Sequence, residues 1–110
     1  MDCIFCKIAA GEIGSLIYED EKVAAFRDLN PVAPVHILIV PKQHIANIDE
    51  CDDPELLGHL FMTARKLARE EGIAESGYRL MINCNADGGQ TVMHLHLHLV
   101  GGEKLCWGPI

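Results

Sequence analysis

The chain has 110 residues, 49% of them apolar and 23% charged, which predicts one compact unit, 1–110 as a single domain, around one core. Sixteen Asp and Glu against nine Lys and Arg leave a formal charge of -7, which disfavours a nucleic-acid polymer held by phosphate neutralisation. No run nears the ~20 apolar residues of a membrane span, Met1-Asp2-Cys3-Ile4-Phe5-Cys6 has no basic start before a long apolar run, and five cysteines cannot all pair in one chain, so the cytoplasm and reduced thiols are expected.

In chain order, Ile4, Phe5 and Ile8 recur at helical spacing before Gly11, which predicts a short N-terminal helix. Segments 16–19 and 22–27, separated by acidic turn residues, read as an antiparallel pair. The β-branched run 35–40 between Pro34 and Pro41 reads as a buried central strand. Asp52 or Asp53 as N-cap, Pro54 in the first turn and Gly72 as the stop enclose one long helix. Its apolar face is Leu56, Leu57, Leu60, Phe61, Ala64, Leu67 and Ala68. Segment 78–83 alternates weakly as a strand, and after the turn Asn85-Ala86-Asp87-Gly88-Gly89-Gln90 a strand over 91–100 is expected. Because the strands cluster into hairpins and only one long helix intervenes, the fold expected is α+β, an antiparallel meander of about five strands with one long helix on a face and a short helix at the start.

Residues 94–100, His94-Leu95-His96-Leu97-His98-Leu99-Val100, carry the most chemistry. In a strand the three histidines share one face, about 6 to 7 Å apart, while Leu95, Leu97 and Leu99 share the other and pack under the helix. In a helix His94 and His98 would instead form an i, i+4 metal pair, but strict alternation over seven residues favours the strand. The bland alternative is a half-exposed strand whose polar positions are His. Aligned imidazoles oppose each other's protonation, so neutral, nucleophilic rings are favoured. A neutral imidazole can attack phosphorus and form a phosphohistidine that water later opens. The glycines of Asp87-Gly88-Gly89-Gln90-Thr91, just upstream, would let backbone N–H groups approach an anionic ligand, although a Gly-Gly turn alone is an ordinary hairpin connection.

With these histidines stand Asp28-Leu29-Asn30-Pro31, Ala33-Pro34-Val35-His36, Pro41-Lys42-Gln43-His44, Asp87-Gly88-Gly89-Gln90, Gly101-Gly102 and Trp107. In order and spacing they resemble the Hint branch of the histidine triad (HIT) superfamily, over essentially the whole chain. The resemblance implies a HIT-like fold and a homodimeric nucleoside phosphoramidase. Such an enzyme hydrolyses purine nucleoside 5'-phosphoramidates, AMP or GMP derivatives, and acyl-adenylates through a nucleotidyl-histidine, with no cofactor needed for catalysis. It implies His96 as the nucleophile, His94 behind it as the orienting residue, His98 and Asn83 on phosphate oxygens, and His36 as a fourth active-site histidine. Gln90 and Thr91, with Gly89 in the turn, would supply a donor or a proton path to the leaving group. Asp28 would chelate the ribose hydroxyls, with Ile4, Phe5, Ile8, Phe26 and Leu29 around the purine, and Trp107 in a tail that reaches the partner. Thr91 stands where many members carry Ser, and Trp107-Gly108-Pro109-Ile110 lacks one of two usual prolines, so leaving-group and tail-dependent selection are open.

Cys3-X-X-Cys6 is half of a zinc site. The resemblance implies that His44 and His94 complete a structural Zn2+ centre. A redox reading is weaker because no thioredoxin-like βαβ pattern surrounds the pair. Cys51, Cys84 and Cys106 are expected to be small buried apolar groups. Two other readings remain: a dinucleoside polyphosphate hydrolase, and a nucleotide-binding or zinc-stabilised interaction module with little turnover.

Overall fold

The computed structural model describes residues 3–106. Five strands, β1 (Tyr18–Glu19), β2 (Val23–Arg27), β3 (Val35–Pro41), β4 (Tyr78–Met81) and β5 (Leu97–Gly101), form one antiparallel sheet. Two α-helices accompany it, α1 (Ile4–Ala9) and α2 (Pro54–Glu70). The expected α+β class holds, but the strand order is β1-β2-β3-β5-β4 rather than sequential. After β3 the chain crosses the sheet through α2 and enters β4 one place out, and β5 then fills the gap, antiparallel to both neighbours.

Each face of the sheet receives its own cover, because β3 is buried along its whole length and its side chains alternate. Val35, Ile37 and Ile39 of β3 and Leu95, Leu97 and Leu99 meet Leu56, Leu60, Ala64, Leu67 and Ala68 of α2. Leu38 and Val40 face the other way and meet Phe5 and Ala9 of α1 with Phe26 of β2. The histidines therefore do not compete with the main core for space.

The α2 punctuation works as its residues dictate: the Asp53 side chain accepts from the Leu56 N–H at 3.1 Å, Pro54 opens the first turn, and Gly72 follows the end with φ +76. Phe61, assigned to the buried face, is 41% exposed, whereas Thr63 is buried and donates its hydroxyl to the His59 carbonyl at 2.7 Å. The buried stripe of α2 is thus narrower than the apolar composition of its outer turns suggests. Cys106 is exposed and Cys51 and Cys84 are only partly buried, so the expectation of three buried thiols fails.

The predicted strand over 91–100 is the largest departure. Ladder pairing begins at Leu97, and 91–96 run as irregular chain. Its anchors are side chains and single backbone bonds such as Leu95 N–H to the Ile45 carbonyl at 2.7 Å. The apolar alternation nevertheless persists, since Leu95 packs in the same core as Leu97 and Leu99.

Leu60 is fully enclosed between α2 and the sheet. Leu60→Ala is expected to cost about 2–5 kcal/mol in urea unfolding, and Asp53→Ala, through the lost cap, about 1 kcal/mol. A Leu60→Ala loss below about 0.5 kcal/mol, the size of an ordinary surface change, would contradict this packing.

Candidate active site

The three histidines stay on the α1 side of the sheet although only His98 stands within a strand: the His94 and His96 rings both meet Phe5 edge-on, and the His98 ring adjoins that of His96. His94 is fully buried and its Nε2–H donates to the Pro41 carbonyl at 2.8 Å, which leaves the Nδ1 lone pair facing the N-terminal cysteines. His96 donates Nδ1–H to the main-chain carbonyl of His94 at 2.7 Å. A carbonyl can only accept, so the lone pair of the neutral His96 ring lies on Nε2.

The His98 ring stands 4.9 Å from that of His96, and its Nδ1 meets His36 Nε2 at 2.9 Å. The Val32 N–H donates to His36 Nδ1 at 3.2 Å, so the proton of neutral His36 sits on Nε2 and is given to His98 Nδ1. That leaves the His98 proton on Nε2, a buried atom with no hydrogen-bond partner. A buried donor left unpaired costs stability, so its orientation fits a site awaiting an acceptor. Burial pushes His98 down to about 4, helped by His96 and His36 and opposed by Asp28. Burial also lowers His36, again against the pull of Asp28, so both rings are neutral at pH 7.

A cavity of about 460 Å³ opens on this cluster. Its walls include Ile4, Phe5 and Ile8 of α1, Phe26, Asp28 and Leu29 at the end of β2, and Thr91, His96 and His98. The volume and the mainly apolar wall with a few polar groups suit a small organic ligand. Asp28 Oδ1 accepts from the Asn30 N–H at 2.8 Å and Oδ2 lies 3.5 Å from His36 Nε2. Phe5 stands edge-on to Phe26 and to His96, with ring centroids 5.3 and 5.1 Å away.

Asn83, Gly89, Gln90, His36 and His94 do not line that cavity. Gln90, expected as a donor near the leaving group, is buried and spent within the turn. Its Oε1 accepts from the Asn85 N–H, and its Nε2 donates to the Ala46 and Val92 carbonyls. The Gly89 N–H donates to the Ala86 carbonyl and so is not offered to a ligand. The turn's glycines have steric reasons: Gly89 has φ +82, and a Cβ on Gly88 would stand 2.4 Å from the Cys84 carbonyl oxygen. Sequence reasoning missed Ile13, Ser15 and Val92 in the wall. Isolated residues in irregular chain give no periodic signal. Trp107 and the three residues after it lie outside the described residues.

Another cavity, about 450 Å³, lies between Asp20, Asp53 and His59. His59 is bound there to Asp20 at 2.7 Å. Burial alone would raise the Asp20 carboxyl, but bonds from Tyr18, the Lys22 and Val23 amides and His59 hold it well below the usual range. That makes a saturated structural knot, whereas the histidine cavity keeps a lone pair and an unpaired donor.

Cys3, Cys6, His44 and His94 converge on the far side of His94. Their ligand atoms lie within 4.8 Å of one another, with Cys3 Sγ 3.4 Å from His94 Nδ1 and Cys6 Sγ 3.3 Å from His44 Nδ1. Bonds of ~2.3 Å to sulfur and ~2.0 Å to nitrogen in a tetrahedron put such atoms about 3.5 Å apart, so the four residues fit zinc. The tautomer of His94 set by Pro41 supplies the required lone pair. In the metal-free chain burial raises the Cys6 thiol, with further upward pushes from Cys3, so metal binding there releases protons. Asp28, His36 and His98 also gather closely, but their facing nitrogens already share a hydrogen bond.

A family model for the HIT domain matches residues 12–105. An uncharacterized HIT-like protein of Synechococcus elongatus is 52% identical, over 98% of this chain and 96% of its own. The purine nucleoside phosphoramidase of Escherichia coli K12 is 46% identical, over 99% of this chain and 92% of its own. Among solved structures, a HIT family hydrolase from Legionella pneumophila superposes with a TM-score of 0.93 at 51% identity, over 98% of this chain and 99% of that one. With the family match spanning most of its length and the fold shared throughout, this chain belongs to the histidine triad (HIT) family.

Proposed function

We propose that the chain is a purine nucleoside phosphoramidase, converting nucleoside 5'-phosphoramidates, and acyl-adenylates by the same route, to the nucleoside monophosphate. The observation that carries this reading is the free Nε2 of His96, a residue in the wall of a cavity also lined by His98, whose own Nε2–H is buried without a partner. The 46% identity with the Escherichia coli phosphoramidase supports it.

In the first step the His96 Nε2 lone pair bonds to phosphorus and the P–N bond to the leaving amine breaks. The Thr91 hydroxyl, at the cavity wall, is the group assigned to the departing amine's proton. His98 donates Nε2–H to a non-bridging oxygen as charge gathers there, held in that tautomer by His36 and the Val32 N–H. Asn83 is assigned to the same phosphate from the family resemblance. In the second step water attacks phosphorus and gives up a proton, which replaces the one Thr91 passed to the amine, while the P–N bond to His96 breaks and returns the electron pair to the ring. Asp28 accepts from the ribose hydroxyls, and Ile4, Phe5, Ile8, Phe26 and Leu29 enclose the base.

No cofactor enters these steps. A Zn2+ held by Cys3, Cys6, His44 and His94 would serve structure, fastening α1 to the sheet. The reading includes a single domain, a cytoplasmic setting and a homodimer. Exposed Phe61 and Met62 on α2, with the outer edge of β4, are surfaces that a second copy could cover. Among the described residues no helix is long and apolar enough to cross a membrane.

His96→Ala is expected to lower kcat on adenosine 5'-phosphoramidate by at least about 10⁴-fold, as nucleophile removal does elsewhere, with AMP binding retained. Turnover at the parent rate would contradict the assignment. Diadenosine polyphosphate run beside it should be the poorer substrate, and the reverse order would favour the rival hydrolase reading.

Stability should fall with acid. Burial holds His98 near 4 when folded, against the ordinary value of about 6.5 in the unfolded chain. Between those values the unfolded chain binds more protons, so stability is complete above about pH 6.5 and declines as pH drops toward 4. Thermal unfolding from pH 7 to 4.5 should show this decline and His98→Gln should flatten it. An unchanged slope in the variant would contradict it.

A further inference from the structure

We infer that the Cys3/Cys6/His44/His94 centre is a positioning element for the nucleophile, with His94 joining metal to chemistry. The inference rests on the reading of His96 as nucleophile and on zinc in the four-residue centre.

His94 is used at three points. Its Nδ1 faces both cysteine sulfurs, at 3.4 and 3.5 Å, its Nε2–H is held by the Pro41 carbonyl, and its own carbonyl accepts from His96 Nδ1–H at 2.7 Å. That last bond is what leaves the lone pair on His96 Nε2. The carbonyl lies in irregular chain, ahead of the ladder that starts at Leu97, and its peptide is held on the opposite side by the Leu95 N–H to the Ile45 carbonyl at 2.7 Å. The His94 ring is a second hold on that peptide, at its Cα end. With a metal on Nδ1 and Pro41 on Nε2, the ring is fixed at both nitrogens. Without the metal, one anchor remains.

A second connection runs through α1. Cys3 is its N-cap and Cys6 lies within it, so two ligands bracket Phe5, whose ring stands edge-on to His96 with centroids 5.1 Å apart. A six-residue helix has little stability of its own, and the metal would hold this wall against the nucleophile. Loss of the ion is therefore expected to free the His96 ring to exchange tautomers and to loosen the base wall, while the core under α2, on the opposite face of the sheet, remains.

The test compares zinc-loaded protein, chelator-depleted protein and His44→Ala, with zinc content measured by elemental analysis. Three properties are read: the His96 tautomer from long-range proton–nitrogen-15 NMR, kcat and KM on adenosine 5'-phosphoramidate, and thermal unfolding. Loaded protein should show one equivalent of zinc and a single Nδ1–H tautomer. The two depleted forms should stay folded, show mixed tautomers, and lose about 10- to 100-fold in kcat, the usual effect of removing an orienting partner. A raised KM from the loosened wall should accompany it. Folded, depleted protein with an unchanged tautomer and parent kcat would overturn the inference, as would a chain that takes up no zinc. Depleted forms that unfold as a whole would overturn it too, by making the centre a structural support alone. Loaded protein with the single tautomer but no turnover would instead contradict the hydrolase reading and leave the positioning role standing.

Discussion

The structure depends chemically on one hydrogen bond, from His96 Nδ1–H to the carbonyl of His94. An imidazole has two nitrogens and, when neutral, one proton. A backbone acceptor decides which nitrogen keeps the lone pair. Here the pair falls on Nε2 of a ring in the cavity wall, and the neighbouring wall ring keeps a buried Nε2–H without a partner. A ring lone pair set by a main-chain carbonyl and a ring donor set through His36 by the Val32 N–H thereby stand on neighbouring side chains.

Other features of the fold serve that arrangement. The sheet divides labour between its faces: α2 covers Leu95, Leu97 and Leu99, whereas the reactive rings and α1 share the other side. The Val32 N–H, His36 and His98 form a directed chain of donors that ends at the cavity. Burial keeps His36 and His98 neutral, so the direction of that chain persists at neutral pH. Asp28 meets this chain through His36 and also stands in the cavity wall.

Much of this was legible in the sequence, and for identifiable reasons. The α2 boundaries could be read because Asp53, Pro54 and Gly72 each act locally through the backbone. The division of His94 to Val100 into two faces followed from strand periodicity, and the leucine side is as expected. The end of the ladder was not legible. Alternation continues through 94–96 although pairing stops, because packing enforces the apolar pattern without sheet hydrogen bonds. The separate hydrogen-bond partners of the three imidazoles were not legible either, since Pro41 and His36 lie far from them in sequence and the His94 carbonyl is reached only in irregular chain. Gln90 misled for a related reason: a polar residue in a glycine turn can face a ligand or close the turn, and only its bonds to Ala46, Asn85 and Val92 distinguish the two. The metal-ligating set was half local, as Cys3 and Cys6, and half distant, as His44 and His94.

The most direct measurement is a crystal structure of the protein with adenosine monophosphate. The account predicts phosphorus about 3–3.5 Å from His96 Nε2, the separation of a near-attack geometry, with His98 Nε2 within hydrogen-bond reach of a phosphate oxygen and the ribose hydroxyls on Asp28. A nucleotide whose phosphate lies away from His96, or that approaches the Nδ1 side of that ring, would contradict it.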